Sequence, residues 1–316
     1  MNLTHIDECD IVVIGGGAAG LSAALVLTRA LRTVVVVDAG APRNAPSARM
    51  HGFLSRDGLP PQELLASGRS EVAGYGGVII DSNAIGIGPR DGTTFTVRLA
   101  DGRRVAARRV LVSMGLQDEL PDIPGIIDRW GRDVLHCPYC HGYEVRDQQV
   151  GVLGTTGDSV AFAQLVRQWA SDVVFFPHTQ VITDVEREQL TARAIGIVEG
   201  NVTRLHVSDD RLRGVQMHDG RLIDRGAVFV RPRFVPNNAL LVALGCALDE
   251  AGWVVADATG ATSVPGVWVA GNVSNPRAQV ITAAGEGSAT AIALNADLVR
   301  EDVDRAVLDL HSGICT

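Results

Sequence analysis

The sequence predicts an α/β fold in which two similar units each combine a helix-flanked sheet with a layer of β-hairpin, and three observations carry this prediction. Residues 10–40, DIVVIGGGAAGLSAALVLTRALRTVVVVDAG, read as an apolar strand, a glycine turn, a helix with apolar residues at 3.6 spacing and a second apolar strand. Residues 151–180, GVLGTTGDSVAFAQLVRQWASDVVFFPHTQ, repeat strand, turn, helix and strand. Residues 76–115 and 203–230 alternate apolar and polar around Asp101-Gly102 and Asp219-Gly220, dipeptides suited to tight hairpin turns. The chain of 316 residues is long enough for two domains, and 46% hydrophobic with 20% charged residues is the composition of a globular protein with real cores.

The same composition narrows the function classes. No apolar run reaches the roughly 18 to 20 residues a membrane span needs. The first such run, Ile11 to Ile14, ends in glycines that belong to a fold motif rather than a cleavage site, so a cytoplasmic protein without a membrane partner is expected. A formal charge of −8 with scattered arginines argues against nucleic acid. Five cysteines in a long chain do not form a disulfide framework. Cys9, Cys246 and Cys315 stand alone and read as incidental thiols, since free cysteine packs as a small hydrophobe.

The first strand-turn-helix unit carries Gly15, Gly17 and Gly20 as G-x-G-x-x-G, with Ala18 and Ala19 between the last two. In such a turn the first glycine makes the tight bend, the second lets backbone approach a pyrophosphate, and the third lets helix and strand pack closely. The helix N-terminus then presents N–H groups and a positive dipole end. Asp38, followed by Ala39, ends the next strand 18 residues after Gly20 and is suited to ribose hydroxyls. A dinucleotide site follows, of the FAD or the NAD(P) kind.

Two further stretches carry chemistry. HCPYCHGYE, residues 136–144, is open to three readings: a haem attachment site through C-x-x-C-H, part of a zinc site, or a redox disulfide. Near the C-terminus, GVWVAGNVSNPRAQVITAAGEGSATAIALNADL gives a short strand, a polar turn at Asn272 and a small-residue helix beginning near Gln279. This stretch is similar to the one that closes over the ribityl chain and flavin in disulfide reductases with two dinucleotide sites. Ala270, Gly271 and Asn272 match its A-G-D, with asparagine for aspartate, and Arg277, Ala278 and Gln279 match its R-x-Q. The asparagine carbonyl can still accept a ribityl hydroxyl.

In the order and spacing of these three motifs the chain resembles the low-molecular-weight thioredoxin reductase family over essentially its full length. The resemblance implies two Rossmann-like, three-layer ββα nucleotide-binding domains and FAD as cofactor. The FAD domain is then discontinuous, residues 1–117 plus 243–316, and an NAD(P)-type domain, residues 118–242, carries the cysteines. It implies a homodimer, and it implies that Cys137 and Cys140 form a redox disulfide, with Cys140 against the flavin and Cys137 toward the substrate. Haem would also want an export signal, and four neighbouring residues of one turn do not readily surround a tetrahedral zinc ion, so no metal is expected. Thiol exchange runs through thiolates and needs a base. The family's usual aspartate after the second cysteine is His141 here; His141 is the leading candidate, with His136 and Glu144 beside it.

The sequence departs from the family in the second unit. Gly154-Thr155-Thr156-Gly157 puts a threonine where backbone should meet pyrophosphate, and Pro177, His178 and Thr179 stand where NADPH users carry a histidine and paired arginines. Within the family the chain is then most similar to the dithiol oxidases that close disulfides in natural products such as holomycin and gliotoxin. That subgroup implies a small-molecule dithiol as substrate and O2 as electron acceptor, giving H2O2. Residues 43–58, RNAPSARMHGFLSRDG, resemble a loop lying over the flavin there, which makes Arg43, Asn44 and His51 candidates for cofactor binding. The alternatives are an NAD(P)H- or ferredoxin-dependent thioredoxin reductase-like enzyme and a non-catalytic flavin-binding redox sensor.

Overall fold

A computed structural model describes residues 8–91 and 94–312; Cys315 lies outside them. The described residues divide into two compact units, one of residues 8–43, 62–117 and 236–312 and one of residues 44–61 and 118–235. This division departs from the sequence expectation at two places. Residues 236–242 belong with the first unit, and residues 44–61, expected with the cofactor, belong with the second.

The first unit opens with β1 (Glu8–Ile14), α1 (Ala18–Arg29), β2 (Val34–Asp38), α2 (Pro61–Gly74) and β3 (Val78–Asp81), then β4 (Ala84–Pro89), β5 (Phe95–Leu99), β6 (Arg104–Val112) and β7 (Leu116–Glu119). β3, β2, β1 and β6 lie side by side and parallel. The four valines of β2 are buried, which is why it reads as an unbroken β-branched run rather than an alternating one. β6 is nine residues long and serves two layers. Its first half pairs antiparallel with β5, and its last three residues pair parallel with the later strand β17 (Val267–Val269). The Asp101-Gly102 turn between β5 and β6 is as the dipeptide predicts, with Gly102 at φ +88°.

The second unit contains α3 (Ile126–Arg129), β8 (Val134–Leu135), α4 (Pro138–His141), β9 (Val150–Leu153), α5 (Ser159–Val166), β10 (Val173–Phe176), α6 (Asp184–Ala192) and β11 (Ile195–Ile197), then β12 (Val202–Ser208), β13 (Arg211–Met217), β14 (Leu222–Asp224), β15 (Ala227–Val230) and β16 (Arg233–Pro236). β11, β10, β9, β15 and β8 form a parallel sheet, and β12, β13 and β14 a separate antiparallel layer. The Asp219-Gly220 turn joins β13 to β14, while β12 turns into β13 through Asp209 and Asp210, both in the left-handed region at φ +52° and +54°. Two Rossmann-type units of helix, parallel sheet and antiparallel layer are thus present, and both are discontinuous in sequence.

The chain then completes the first unit with α7 (Ala239–Ala243), β17 and the long α8 (Val280–His311). Among the described residues no helix is long and apolar enough to cross a membrane. α8 packs on α1 at backbone distance, since a Cβ on Gly287 would sit 2.0 Å from the Ala19 carbonyl oxygen; α1 meets its own turn as closely, since one on Gly20 would sit 1.9 Å from the Gly15 carbonyl oxygen. Both obstacles are main chain and cannot rotate aside. Gly287→Ala is therefore expected to force α8 off α1 at a cost of about 1 to 3 kcal/mol, as overpacked cores do. Thermal unfolding measures this, and an unchanged midpoint would show that the two helices do not meet at this glycine.

Candidate functional site

In the first unit Gly15 takes φ +108°, and a Cβ there would meet the Ser113 carbonyl oxygen at 2.6 Å. Gly17 is the residue before the first turn of α1; no side chain caps the helix, and a Cβ on Gly17 would point into open space. The first N–H groups of α1 around Ala18 and Ala19 consequently face outward without a side-chain acceptor. Gly16 N–H donates to Asp38 Oδ1 at 3.1 Å, and Arg69 Nη1 donates to Asp38 Oδ2 at 2.9 Å, which aims the carboxylate at the end of β2. Arg69 is a residue the motif does not predict. Ala39 is exposed just beyond, while Arg43 and Asn44 begin the turn that leaves this unit.

The C-terminal turn is built around Glu286. Its carboxylate accepts the Gly271 N–H at 2.9 Å and the Asn275 side-chain amide at 2.6 Å, so one residue of α8 pins both ends of the turn. Gly271 stands at φ +76°, and a Cβ there would approach the Ala19 Cβ to 2.9 Å. The Asn272 amide nitrogen donates to the Asn275 and Ala278 carbonyls at 2.9 and 3.0 Å, bonds an aspartate could not make. Its carbonyl oxygen is thereby turned away from that loop. Ala278 is buried, Arg277 is exposed, and Gln279 precedes the first turn of α8 without a side-chain cap.

In the second unit Cys137 and Cys140 form a disulfide with Cα atoms 5.2 Å apart. Cys137 caps the short α4, Pro138 takes the first helical position, and the N–H groups of Cys140 and His141 both donate to the Cys137 carbonyl at 3.1 Å. Behind the motif stands Trp169, which the sequence reading passes over. Its ring lies 5.0 Å edge-on from Tyr139, and a Cβ on Gly142 would strike it at 2.7 Å. Tyr139 itself is 62% exposed.

The two candidate bases differ in surroundings. The His136 ring stacks on Trp130 at 5.6 Å and meets Phe234 edge-on at 6.0 Å, an aromatic packing position. His141 Nε2 lies 3.5 Å from Ser47 Oγ, and His51 Nε2 lies 3.4 Å from Glu144 Oε1. The residues 47–57 thus accompany the redox motif, and His51 is placed among groups of the second unit. Burial pushes the His141 pKa down, Glu144 acts against this, and His51 adds to it.

The second nucleotide turn is closed by its own side chains. Ser159 Oγ accepts the N–H groups of Thr155 and Thr156 at 3.2 and 3.0 Å, and Thr155 Oγ1 donates to the Arg231 carbonyl at 3.0 Å. The Asp158 carboxylate stands at the start of α5, paired with Arg231 at 3.0 Å. His178 accepts the Val202 N–H on Nδ1 at 3.0 Å, and burial lowers its pKa, so it is held neutral.

A strand-turn-helix with open N–H groups in one unit and a C-x-x-C disulfide in the other fit an oxidoreductase that combines a dinucleotide with a disulfide. Residues 9–287 match the pyridine nucleotide-disulphide oxidoreductase family, and the chain belongs to it. It is a thioredoxin reductase-like disulfide oxidoreductase with FAD as cofactor. Among solved structures it is similar to HlmI, with 54% identity and a TM-score of 0.96 over 100% of both chains. TrxB from Bacillus anthracis is 31% identical, with a TM-score of 0.89 over 93% of this chain and 99% of that one. The thioredoxin reductase sirT of Leptosphaeria maculans is 30% identical over 93% of this chain and 95% of its own length. The open turn at Gly17 and the pinned turn at Asn272 fit FAD: the first offers N–H groups to a pyrophosphate, and the second offers a carbonyl acceptor to a hydroxyl.

His141 is expected to titrate below the ordinary histidine value of 6.5, because burial penalises the imidazolium. It is then neutral at pH 7 and able to accept a proton, and it becomes charged only as pH falls through the lowered value. NMR titration of ring-labelled histidine, assigned with His141→Ala, reads this directly. A midpoint at or above 6.5 would show that the ring is not desolvated as described.

Proposed function

We propose that the protein is an FAD-dependent dithiol oxidase that closes a disulfide within a small-molecule dithiol and passes the electrons to O2, giving H2O2. The observation that carries this reading is the closed second nucleotide turn. N–H groups that would hold a nicotinamide dinucleotide's pyrophosphate are already bonded to Ser159, a carboxylate stands at the helix start, and neutral His178 offers a 2′-phosphate no charge. The similarity to HlmI and the histidine after the second cysteine agree with it.

In this reading a substrate thiol gives its proton to His141 and the thiolate attacks the Cys137 sulfur, forming a mixed disulfide and releasing Cys140 as thiolate. The second substrate thiolate attacks its partner sulfur in that mixed disulfide, which closes the product and releases Cys137. Bound FAD supplies the two-electron acceptor that reoxidises the pair and delivers the electrons to O2. Cofactor-holding roles are proposed for Gly15, Gly17, Ala18, Ala19, Gly20, Asp38, Ala39, Arg43, Asn44, Gly271, Asn272, Arg277, Ala278 and Gln279.

The name of the sirT relative favours a second reading, a reductase fed by NAD(P)H or ferredoxin. The purified yellow protein is expected to consume O2 and release peroxide with a dithiol alone. Rapid anaerobic bleaching of the flavin by NADPH, with negligible oxidase turnover, would reverse the direction. The cysteine roles are tested in the same preparation: Cys137→Ser should leave a thiolate beside oxidised flavin and a long-wavelength charge-transfer band, and Cys140→Ser should give none. The opposite pattern would exchange the two roles.

A homodimer is part of the proposal. The family resemblance implies it, and α8 carries exposed Ile292, Val299, Val303 and Val307 at helical spacing, an apolar stripe suited to a second copy. Sedimentation at micromolar concentration should give twice the mass of 33.4 kDa; a single monomer mass would refute it.

A further inference from the structure

Arg69 stands on a helix whose place is set by packing. α2 carries Leu65, Gly68 and Val72 at helical spacing. Val72 is fully buried, Leu65 packs against the same core, and a Cβ on Gly68 would meet the Leu21 side chain of α1 at 3.2 Å. From this seat Arg69 reaches the ends of β2 and β3. These strands are parallel neighbours, and their last residues, Asp38 and Asp81, are partners in the register. Register partners project to the same side of a sheet, so two carboxylates share one edge.

Arg69 bonds to both of them. Its Nη1 donates to Asp38 Oδ2 at 2.9 Å, and its Nη2 donates to Asp81 Oδ1. The planar guanidinium holds two acceptors at a fixed angle, which a lysine ammonium does not. The two ends differ in surroundings: the Asp38 side chain is 17% exposed and that of Asp81 is 78% exposed. An ion pair as exposed as that with Asp81 adds little to stability, so the consequential end is Asp38.

On its other oxygen Asp38 accepts the Gly16 N–H at 3.1 Å, and a Cβ on Gly16 would strike the Asp38 Cγ at 2.5 Å. The carboxylate therefore lies against the glycine turn and cannot rotate without losing a donor on each side. Each oxygen takes one bond from the protein and keeps a lone pair. Two lone pairs at a fixed spacing suit two neighbouring hydroxyls, the pattern of a ribose diol.

We propose that Arg69 is a positioning residue for the dinucleotide: it screens Asp81 from Asp38 and locks the Asp38 carboxylate in the orientation that accepts the adenosine ribose hydroxyls of FAD. This rests on the reading of Asp38 as the ribose acceptor, and it holds whether the enzyme runs as oxidase or as reductase. Without Arg69, Asp38 keeps only the Gly16 bond and faces an uncompensated charge on the same edge.

The test is the rate at which FAD leaves the holoenzyme on dilution, read as the rise of free-flavin fluorescence. Arg69→Gln is expected to speed release about tenfold, the size of one charge-assisted hydrogen bond. Asp38→Asn should also speed release, and adding Arg69→Gln to it should bring no further loss, because both changes remove the same acceptor. Asp81→Asn should be near neutral alone and should recover part of the loss when added to Arg69→Gln, since it removes the charge that Arg69 screened. Arg69→Lys keeps the charge without the fork and should lie between; release as slow as in the unaltered protein would overturn the bridge. Losses from Arg69→Gln and Asp38→Asn that multiply, or no recovery with Asp81→Asn, would give Arg69 a merely structural part and overturn the proposal. Unchanged release in Arg69→Gln, with Asp38→Asn fast, would overturn it while leaving Asp38 as the ribose acceptor. Unchanged release in Asp38→Asn would remove that acceptor and the proposal with it.

Discussion

A helix that starts directly after a strand leaves its first N–H groups without partners, and something must accept them. In the first unit no side chain does. Gly17 leaves open space, and the neighbouring glycines bring strand and helix together with no atom to spare, at Gly15 against Ser113 and at Gly20 against Gly15. That turn is complete only with an external acceptor, and a pyrophosphate is the right shape and charge. In the second unit the turn that leads into the helix is closed from within instead: Ser159, which is buried, takes the N–H groups of Thr155 and Thr156 just ahead of α5. One hydroxyl thus separates a turn that waits for a ligand from a turn that is finished, and the contrast carries the functional reading further than either motif does alone.

The first unit keeps its long C-terminal helix in register by charge. Arg108 pairs with Asp10, Glu301 and Asp302, Arg109 with Asp297 and Glu301, and Arg32 with Asp302. Such half-buried pairs contribute little net stability once desolvation is counted, but they reject neighbouring registers, because a slip of one turn would strand several charges. Register matters here because Glu286 lies on the same helix and holds the turn at Gly271 and Asn275. The arginines that read as scattered along the sequence are the anchors that place the Glu286 carboxylate against its turn.

Elements with a period or a turn signature were legible in the sequence. The strands of β-branched residues, the glycine turn, Asp101-Gly102, Asp219-Gly220 and the start of α8 after Gln279 all follow from local rules. Partnerships at long separation were not. Nothing near Arg69 points to Asp38, nothing near Glu286 points to Gly271, and nothing in residues 44–61 tells which unit they join, because a polar loop has no face that must be buried. Ser159 was hidden for another reason: its role is to satisfy turn N–H groups three and four residues earlier, and a serine at the start of a helix is too common to signal it.

On the proposed chemistry, histidine after the second cysteine has a physical advantage over the family's usual aspartate. A carboxylate beside the disulfide would repel an arriving thiolate and, once protonated, would be neutral when thiolate charge appears. His141 does the reverse. Burial keeps it neutral at pH 7, so a thiol meets no negative charge there, and on taking the proton it becomes positive as a cysteine thiolate is released. An imidazolium is costly in a half-buried site, so it must shed its proton before the next thiol arrives. Burial alone would favour that release but would also weaken the base, and the Glu144 charge acts against burial.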